Sequence, residues 1–360
     1  MVKMDNSQEI NSSVDGSVGH IRLNNPKALN SLTEGMCASI YNLLNDWQDD
    51  KGVQVVVVSG DGERAFCAGG DVLQVCNEGK QDPVGARRFF KTEYAMDLAV
   101  AEFPKPYICL IDGIIMGGGL GISVNGRYRV MGDNVLAAMP ETGIGLLPDV
   151  GATAFLNACP GRTGLYLGLT GARLNTADAI YAGFGTHYVA TQKHGLLLDA
   201  LKTRKYGYNP FICVEETINQ FSSDPGQSSL KDLQPTIDRL FAANDVEEIV
   251  SSLSNDGSDF SSEALKALQR MSPTSMKITA KQVTENPNIS VKDALILEYR
   301  MVSHVLKRHD LYEGIRAALI DKDRKPVWQP ATLAGVSSAE VADHFSSLNE
   351  EELVLNSRQS

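Results

Sequence analysis

The chain has 360 residues, 43% apolar and 21% charged, which is enough to bury one large core and excludes disorder along its whole length. Its net charge of −11 argues against a nucleic-acid partner, because phosphates would be repelled. No apolar run reaches the roughly 18 residues of a membrane span, and the polar start holds no apolar signal-peptide segment, so no membrane association is expected.

A polar N-terminal segment, 1–17, comes first. His20-Ile21-Arg22-Leu23 then alternates like a strand and stops at Asn24-Asn25-Pro26. Thr33 is a plausible N-cap for a helix running to Trp47, with Met36, Ile40, Leu43, Leu44 and Trp47 at three- and four-residue steps. Residues 53–58 form a β-branched run ending at Ser59-Gly60, the pattern of a buried strand. Arg87, Arg88 and Lys91 read as a solvated face, as do Lys322, Arg324 and Lys325. Residues 107–111 form a second buried strand, between Pro106 and Asp112-Gly113. Strand, helix, strand, helix is the order of an α/β fold. A polar, Ser-rich stretch near 220–229 reads as a linker, and the chain is helix-rich from about 262 to 318. The expected division is a core at 18–215, a helical C-terminal region at 216–330 and a tail at 331–360.

Two glycine clusters carry the first chemical signal: Phe66-Cys67-Ala68-Gly69-Gly70-Asp71 and Met116-Gly117-Gly118-Gly119-Leu120-Gly121. A lone cluster is usually a turn. Two of them at strand ends allow backbone N–H groups to approach one ligand atom closely, which suits charge developing on a carbonyl oxygen. Neither cluster has phosphate-loop or dinucleotide-binding spacing. Glu141 and Asp149 lie in the apolar, Gly/Pro-rich run Met139-Pro140-Glu141-Thr142-Gly143-Ile144-Gly145-Leu146-Leu147-Pro148-Asp149-Val150-Gly151. Burial there would raise their pKa values toward general-base use; a surface turn is the plainer alternative. The six cysteines include no Cys-x-x-Cys pair and fit a reducing compartment. His309 and Glu313 share helical spacing but read as a surface contact, and no metal site is expected.

With these motifs in place, the chain resembles the crotonase superfamily over about 18–328, and within it the 3-hydroxyisobutyryl-CoA hydrolases. Asn25-Pro26-Lys27-Ala28-Leu29-Asn30 resembles the family's CoA-contacting segment. The resemblance puts one oxyanion N–H on Gly70 and the other on Gly118, with Lys27, Ala28, Leu29, Ala68 and Asp71 among the substrate contacts. Hydratases of this superfamily carry two catalytic glutamates. One corresponds to Glu141, whereas the other falls on Gly121, which has no carboxylate. Pro140-Glu141-Thr142 with Gly145-Leu146-Leu147-Pro148-Asp149, and Phe89-Phe90-Lys91-Thr92-Glu93-Tyr94, resemble the hydrolases instead. So do Glu298-Tyr299-Arg300 and Glu313-Gly314-Ile315-Arg316-Ala317. Leu147 and Ala152 depart from a frequent phenylalanine and glycine, which bears on the shape of the acyl pocket.

The fold so implied is an α/β crotonase spiral of ββα units with a C-terminal helical region. The implied activity is thioester hydrolysis of 3-hydroxyisobutyryl-CoA, with Glu141 and Asp149 catalytic and Glu93 contacting substrate. No cofactor is required, since CoA is part of the substrate. A homo-oligomer is allowed. The expected place is the cytoplasm for a bacterial chain, or the mitochondrial matrix for a eukaryotic one without its transit peptide. The alternatives are another crotonase reaction, such as enoyl-CoA hydration or isomerisation, and a non-catalytic ribosome-associated protein.

Overall fold

The computed structural model describes residues 9–356; residues 1–8 of the N-terminal segment and 357–360 of the tail lie outside the described residues. In chain order the first strands are β1 (Ile10–Asp15), β2 (Val18–Leu23), β3 (Val55–Gly60), β4 (Ala65–Cys67) and β5 (Tyr107–Ile111). They are followed by β6 (Ile114–Met116), β7 (Tyr128–Met131), β8 (Leu136–Ala138) and β9 (His187–Tyr188). One sheet has the order β1-β2-β3-β5-β7-β9, and a smaller one the order β4-β6-β8. The β1–β2 pair is antiparallel, and every later pairing is parallel.

The valine run explains the large sheet. Val55 and Val57 point to a core with Val214 and Ile218, while Val56 and Val58 point to the main core with Ile40 and Leu44. A parallel strand covered on both faces needs an unbroken apolar run, and β-branched residues fit the pleat. Helix α1 (Glu34–Asp49) starts where the Thr33 hydroxyl accepts a hydrogen bond from the Met36 N–H at 3.2 Å. Then come α2 (Val72–Gly79), α3 (Arg87–Ala101), α4 (Gly118–Val124) and α5 (Ala152–Asn157). Three times the chain lays a strand in the large sheet, a short one in the small sheet, and then helix: β3-β4-α2, β5-β6-α4 and β7-β8-α5. This is the spiral of ββα units.

The observed elements extend the expected ones. Residues 10–15 of the polar N-terminal segment are a strand, paired with β2 along its whole length. Helices begin well before residue 262: Pro210–Phe221 covers the large sheet through Val214 and Ile218, so the expected boundary at 215/216 falls inside a helix. The stretch near 220–229 closes that helix, pairs Ser223 with Tyr188 and leads into the helix Ser229–Leu240. Arg87 is not part of a solvated face. It is buried and pairs at 2.8 Å with Glu351 of the tail. Arg88 is exposed and pairs with Glu34.

Candidate active site

All three strands of the small sheet end in a candidate residue. Gly70 follows β4, Gly118 follows β6 and Glu141 follows β8. Side-by-side parallel strands bring their carboxyl ends together, so residues 71 positions apart in sequence meet at one edge of the sheet. The strand-like contact of Leu32 with Gly70 uses the Leu32 and Asp71 N–H groups and leaves the Gly70 N–H out of it. The Gly118 N–H, at the start of α4, also enters no backbone hydrogen bond among the described residues.

Close approach requires glycine here. A Cβ on Gly118 would lie 3.2 Å from the Gly70 nitrogen and collide with Glu93 Oε1. Gly117 has φ +46°, and a Cβ there would stand 2.9 Å from Glu141 Oε1. The two glycine clusters, Glu93 and Glu141 thus share one small space. Two free N–H donors beside a carboxylate match the needs of an attack on a carbonyl carbon.

The acids are buried: Glu93, Glu141 and Asp149 are 2%, 6% and 4% exposed, which separates them from surface-turn carboxylates. Glu93 Oε1 and Glu141 Oε2 have no hydrogen-bond partner. Burial, reinforced by Asp149, pushes the Glu141 carboxyl well above the usual carboxylate range. Burial does the same to Glu93, with Asp149 and Glu141 adding like charge. Asp149 is pushed up by burial to about 7, against the pull of the Tyr94 hydroxyl, which donates to Asp149 Oδ2 at 2.7 Å.

Asp149 is held from a distance. Val150 and Gly151 both adopt positive φ, turning the chain sharply into α5. The Glu298 carboxylate, on the helix Val291–Val305, accepts 2.7 Å bonds from the Gly151 N–H, the Thr153 N–H and the Thr153 hydroxyl. Burial pushes Glu298 up to about 8 while these donors pull it down. Gln282 donates to the Pro148 carbonyl at 2.7 Å and the Thr153 hydroxyl at 2.8 Å. Sequence reading gave Tyr94 and Gln282 no role, and noted Glu298 only within a resembling segment. A partner 147 residues away leaves no local pattern.

The remaining expected residues fall on the β4 side. Lys27 and Ala28 lie on the exposed single turn Pro26–Ala28, and Leu29 follows in the left-handed conformation. The Leu29 carbonyl accepts from the Ala68 N–H at 3.0 Å, joining this segment to the first glycine loop. Asn30, buried, donates to the Asp61 and Ala65 carbonyls and so fixes both. Asp71 is already engaged as the N-cap of α2, accepting from the Gln74 N–H at 3.1 Å. On the β8 side a cleft of about 720 Å³ borders Met116 and Pro140, the neighbours of Gly117 and Glu141. Arg173, Arg270 and Arg324 line it. Among the described residues, none of their side chains has an ion-pair or hydrogen-bond partner. No group of three metal-ligating side chains occurs among the described residues, and none of their helices is long and apolar enough to cross a membrane. His309 bonds the Val327 carbonyl, and Glu313 pairs with Arg316.

Comparison with known proteins identifies the family. The family model described as enoyl-CoA hydratase/isomerase matches residues 18–345. The chain is 43% identical over 343 residues to the mitochondrial 3-hydroxyisobutyryl-CoA hydrolase of Danio rerio, covering 94% of this chain and 90% of that one. It is 41% identical over 352 residues to the Homo sapiens protein of the same name, covering 97% and 91%. Among solved structures it resembles a carnitinyl-CoA dehydratase from Mycobacterium thermoresistibile, with TM-score 0.92, 37% identity and coverage of 98% and 100%. An enoyl-CoA hydratase from Rhodobacter sphaeroides gives TM-score 0.90 at 37% identity, with coverage of 97% and 100%. The match covers both the spiral and the C-terminal helices, and the chain belongs to the crotonase, or enoyl-CoA hydratase/isomerase, family.

Proposed function

We propose that this chain is a thioesterase that hydrolyses 3-hydroxyisobutyryl-CoA, or a similar short 3-hydroxyacyl-CoA, to the free acid and CoA. The observation that carries the reading is the single arrangement of Gly70, Gly118 and Glu141 at three adjacent strand ends, with glycine at 121. The relatives' names point to the same substrate. Hydration of a double bond needs a proton delivered to one carbon and water activated at the next, so a second acid at position 121 would be wanted. Thioester cleavage needs only one group to attack or to activate water, with the oxyanion stabilised.

In this scheme the Gly70 and Gly118 N–H groups hold the thioester oxygen. Glu141 either takes a proton from the attacking water or attacks the carbonyl carbon itself, in which case water then cleaves the acyl-glutamyl anhydride and frees both the acid and Glu141. The tetrahedral oxyanion collapses, the C–S bond breaks, and CoA leaves as a thiolate, a good leaving group near neutral pH. Asp149, oriented by Tyr94, positions the water or the acyl hydroxyl, and Glu93 contacts the acyl group. Lys27, Ala28, Leu29 and Ala68 contact CoA on the β4 side. The unpaired arginines of the cleft offer charge for its phosphates. No further cofactor enters the scheme. For a eukaryotic chain the place is the mitochondrial matrix, a reading supported by relatives whose names include mitochondrial.

An acyl-CoA panel followed by free-thiol release tests the reading. Thiol should appear fastest from 3-hydroxyisobutyryl-CoA, with crotonyl-CoA barely hydrated. Vigorous crotonyl-CoA hydration without thiol release from any 3-hydroxyacyl-CoA would put the chain in a hydratase branch. Co-sedimentation with ribosomes without any turnover would support the non-catalytic alternative.

A further inference from the structure

One acid of the buried cluster has no part in the scheme above. Asp97 lies one helical turn beyond Glu93 on α3, is fully buried, and has no hydrogen-bond partner for either carboxyl oxygen. A Cβ on Gly121 would stand 2.8 Å from Asp97 Oδ1, 3.1 Å from Oδ2 and 2.7 Å from Val150 Cβ. The space into which a side chain at position 121 would grow is therefore filled from α3.

The surroundings decide its charge. The titratable groups bearing on Asp97 are Glu93 on α3, Asp149 in the catalytic loop and Glu298 on the helix Val291–Val305. Cys37 on α1, Cys67 on β4 and Tyr107 on β5 also feel it. None of these is a cation and three are acids. A carboxylate sealed from bulk solvent, with no protein donor and no counter-ion, is far costlier than a neutral carboxyl in the same place.

We propose that Asp97 is a positioning residue that works as an uncharged carboxylic acid. While neutral it supports the Glu93 face of α3 and the Val150 side of the Asp149 loop, and on ionising it disables the site by placing a further negative charge beside both. Burial first, then Glu93, Asp149 and Glu298, hold its carboxyl well above the usual range. A raised folded-state value means that the folded chain holds this proton to higher pH than the unfolded chain does. The associated stability is full at acid pH and is lost as pH rises through that value.

Two measurements test this, and only the second rests on the hydrolase reading. In the wild-type protein labelled at the aspartate carboxyl carbon, NMR should show one carbon that stays at the protonated shift at pH 7 and is absent from D97N. Asp149 is distinguished by titrating near that pH. Should D97N fail to fold, the wild-type titration alone still decides, since no aspartate carbon staying protonated above pH 7 overturns the proposal. In the kinetic arm, D97N should move the alkaline limb of kcat upward by about half a pH unit or more, because an amide cannot ionise. A loss of about tenfold or more in kcat at every pH, with the limb unmoved, would mean that the charged form is needed and would overturn it. Thiol release from no substrate at all, with the NMR result intact, would count against the hydrolase reading and not against the neutral acid.

Discussion

The two sheets are built from similar apolar residues and serve opposite ends. In the large sheet, β3 and β5 are covered on both faces, with Val55 and Val57 on one side and Val56 and Val58 on the other. The small sheet has strands of three residues, and its carboxyl ends gather Gly70, Gly118 and Glu141. Beside it stand Glu93, Asp97 and Glu141, whose unpartnered carboxyl oxygens form a buried acidic cluster that burial alone would disfavour. The large sheet and its helices supply stability. The small sheet holds a destabilised constellation, as sites that need shifted pKa values do. Long-range hydrogen bonds donated by Tyr94 and Gln282 and accepted by Glu298 fix the part of it around Asp149.

Substitutions on the two sides should therefore separate activity from stability. Around the Asp149 loop the largest loss is expected for Asp149→Asn, which keeps the shape but removes the charge. Turnover should fall about 100-fold or more with little change in the melting temperature, checked by thiol release and calorimetry. Tyr94→Phe should cost less, about tenfold, by removing the 2.7 Å bond to Asp149. Because that bond holds the Asp149 pKa down, its loss should move the pH midpoint of kcat/KM above the wild-type value. Leu201→Ala, under the large sheet, should leave kcat near wild type while lowering stability by about 2–5 kcal/mol, measured by urea unfolding. A smaller effect concerns pH itself. Asp149 and Glu298 are raised to about 7 and about 8, so the folded state binds more protons than the unfolded chain. The stability they contribute is full below their unfolded values and is lost as pH climbs through 7 and 8, so the wild type should melt lower at pH 8 than at pH 6.

What the sequence showed followed the same division. The Thr33 cap, the apolar stripe of α1 and the strand at 107–111 were legible because each is a local pattern repeated over several residues. β4, β6 and β8 are too short to show periodicity, although they carry the chemistry. Their positions were read only through the glycines and Glu141 that follow them. Nothing in the sequence marks Asp97, because its lack of partners is a property of packing. Arg87 read as solvated because Glu351, 264 residues away, cannot be paired with it from sequence. Asp71, expected at the substrate, also caps α2 through Oδ1, a second role that the glycine motif does not display.

The central claim is that one carboxylate beside two backbone donors performs the chemistry, while CoA is held elsewhere. Glu141→Gln tests it most directly, since the amide keeps the size of the side chain and loses its basicity. With 3-hydroxyisobutyryl-CoA, this variant should bind with a Kd within about threefold of the wild type and release thiol about 10²–10⁴ times more slowly. Thiol release near the wild-type rate would contradict the account, because it would leave the small sheet's acid with no part in the reaction.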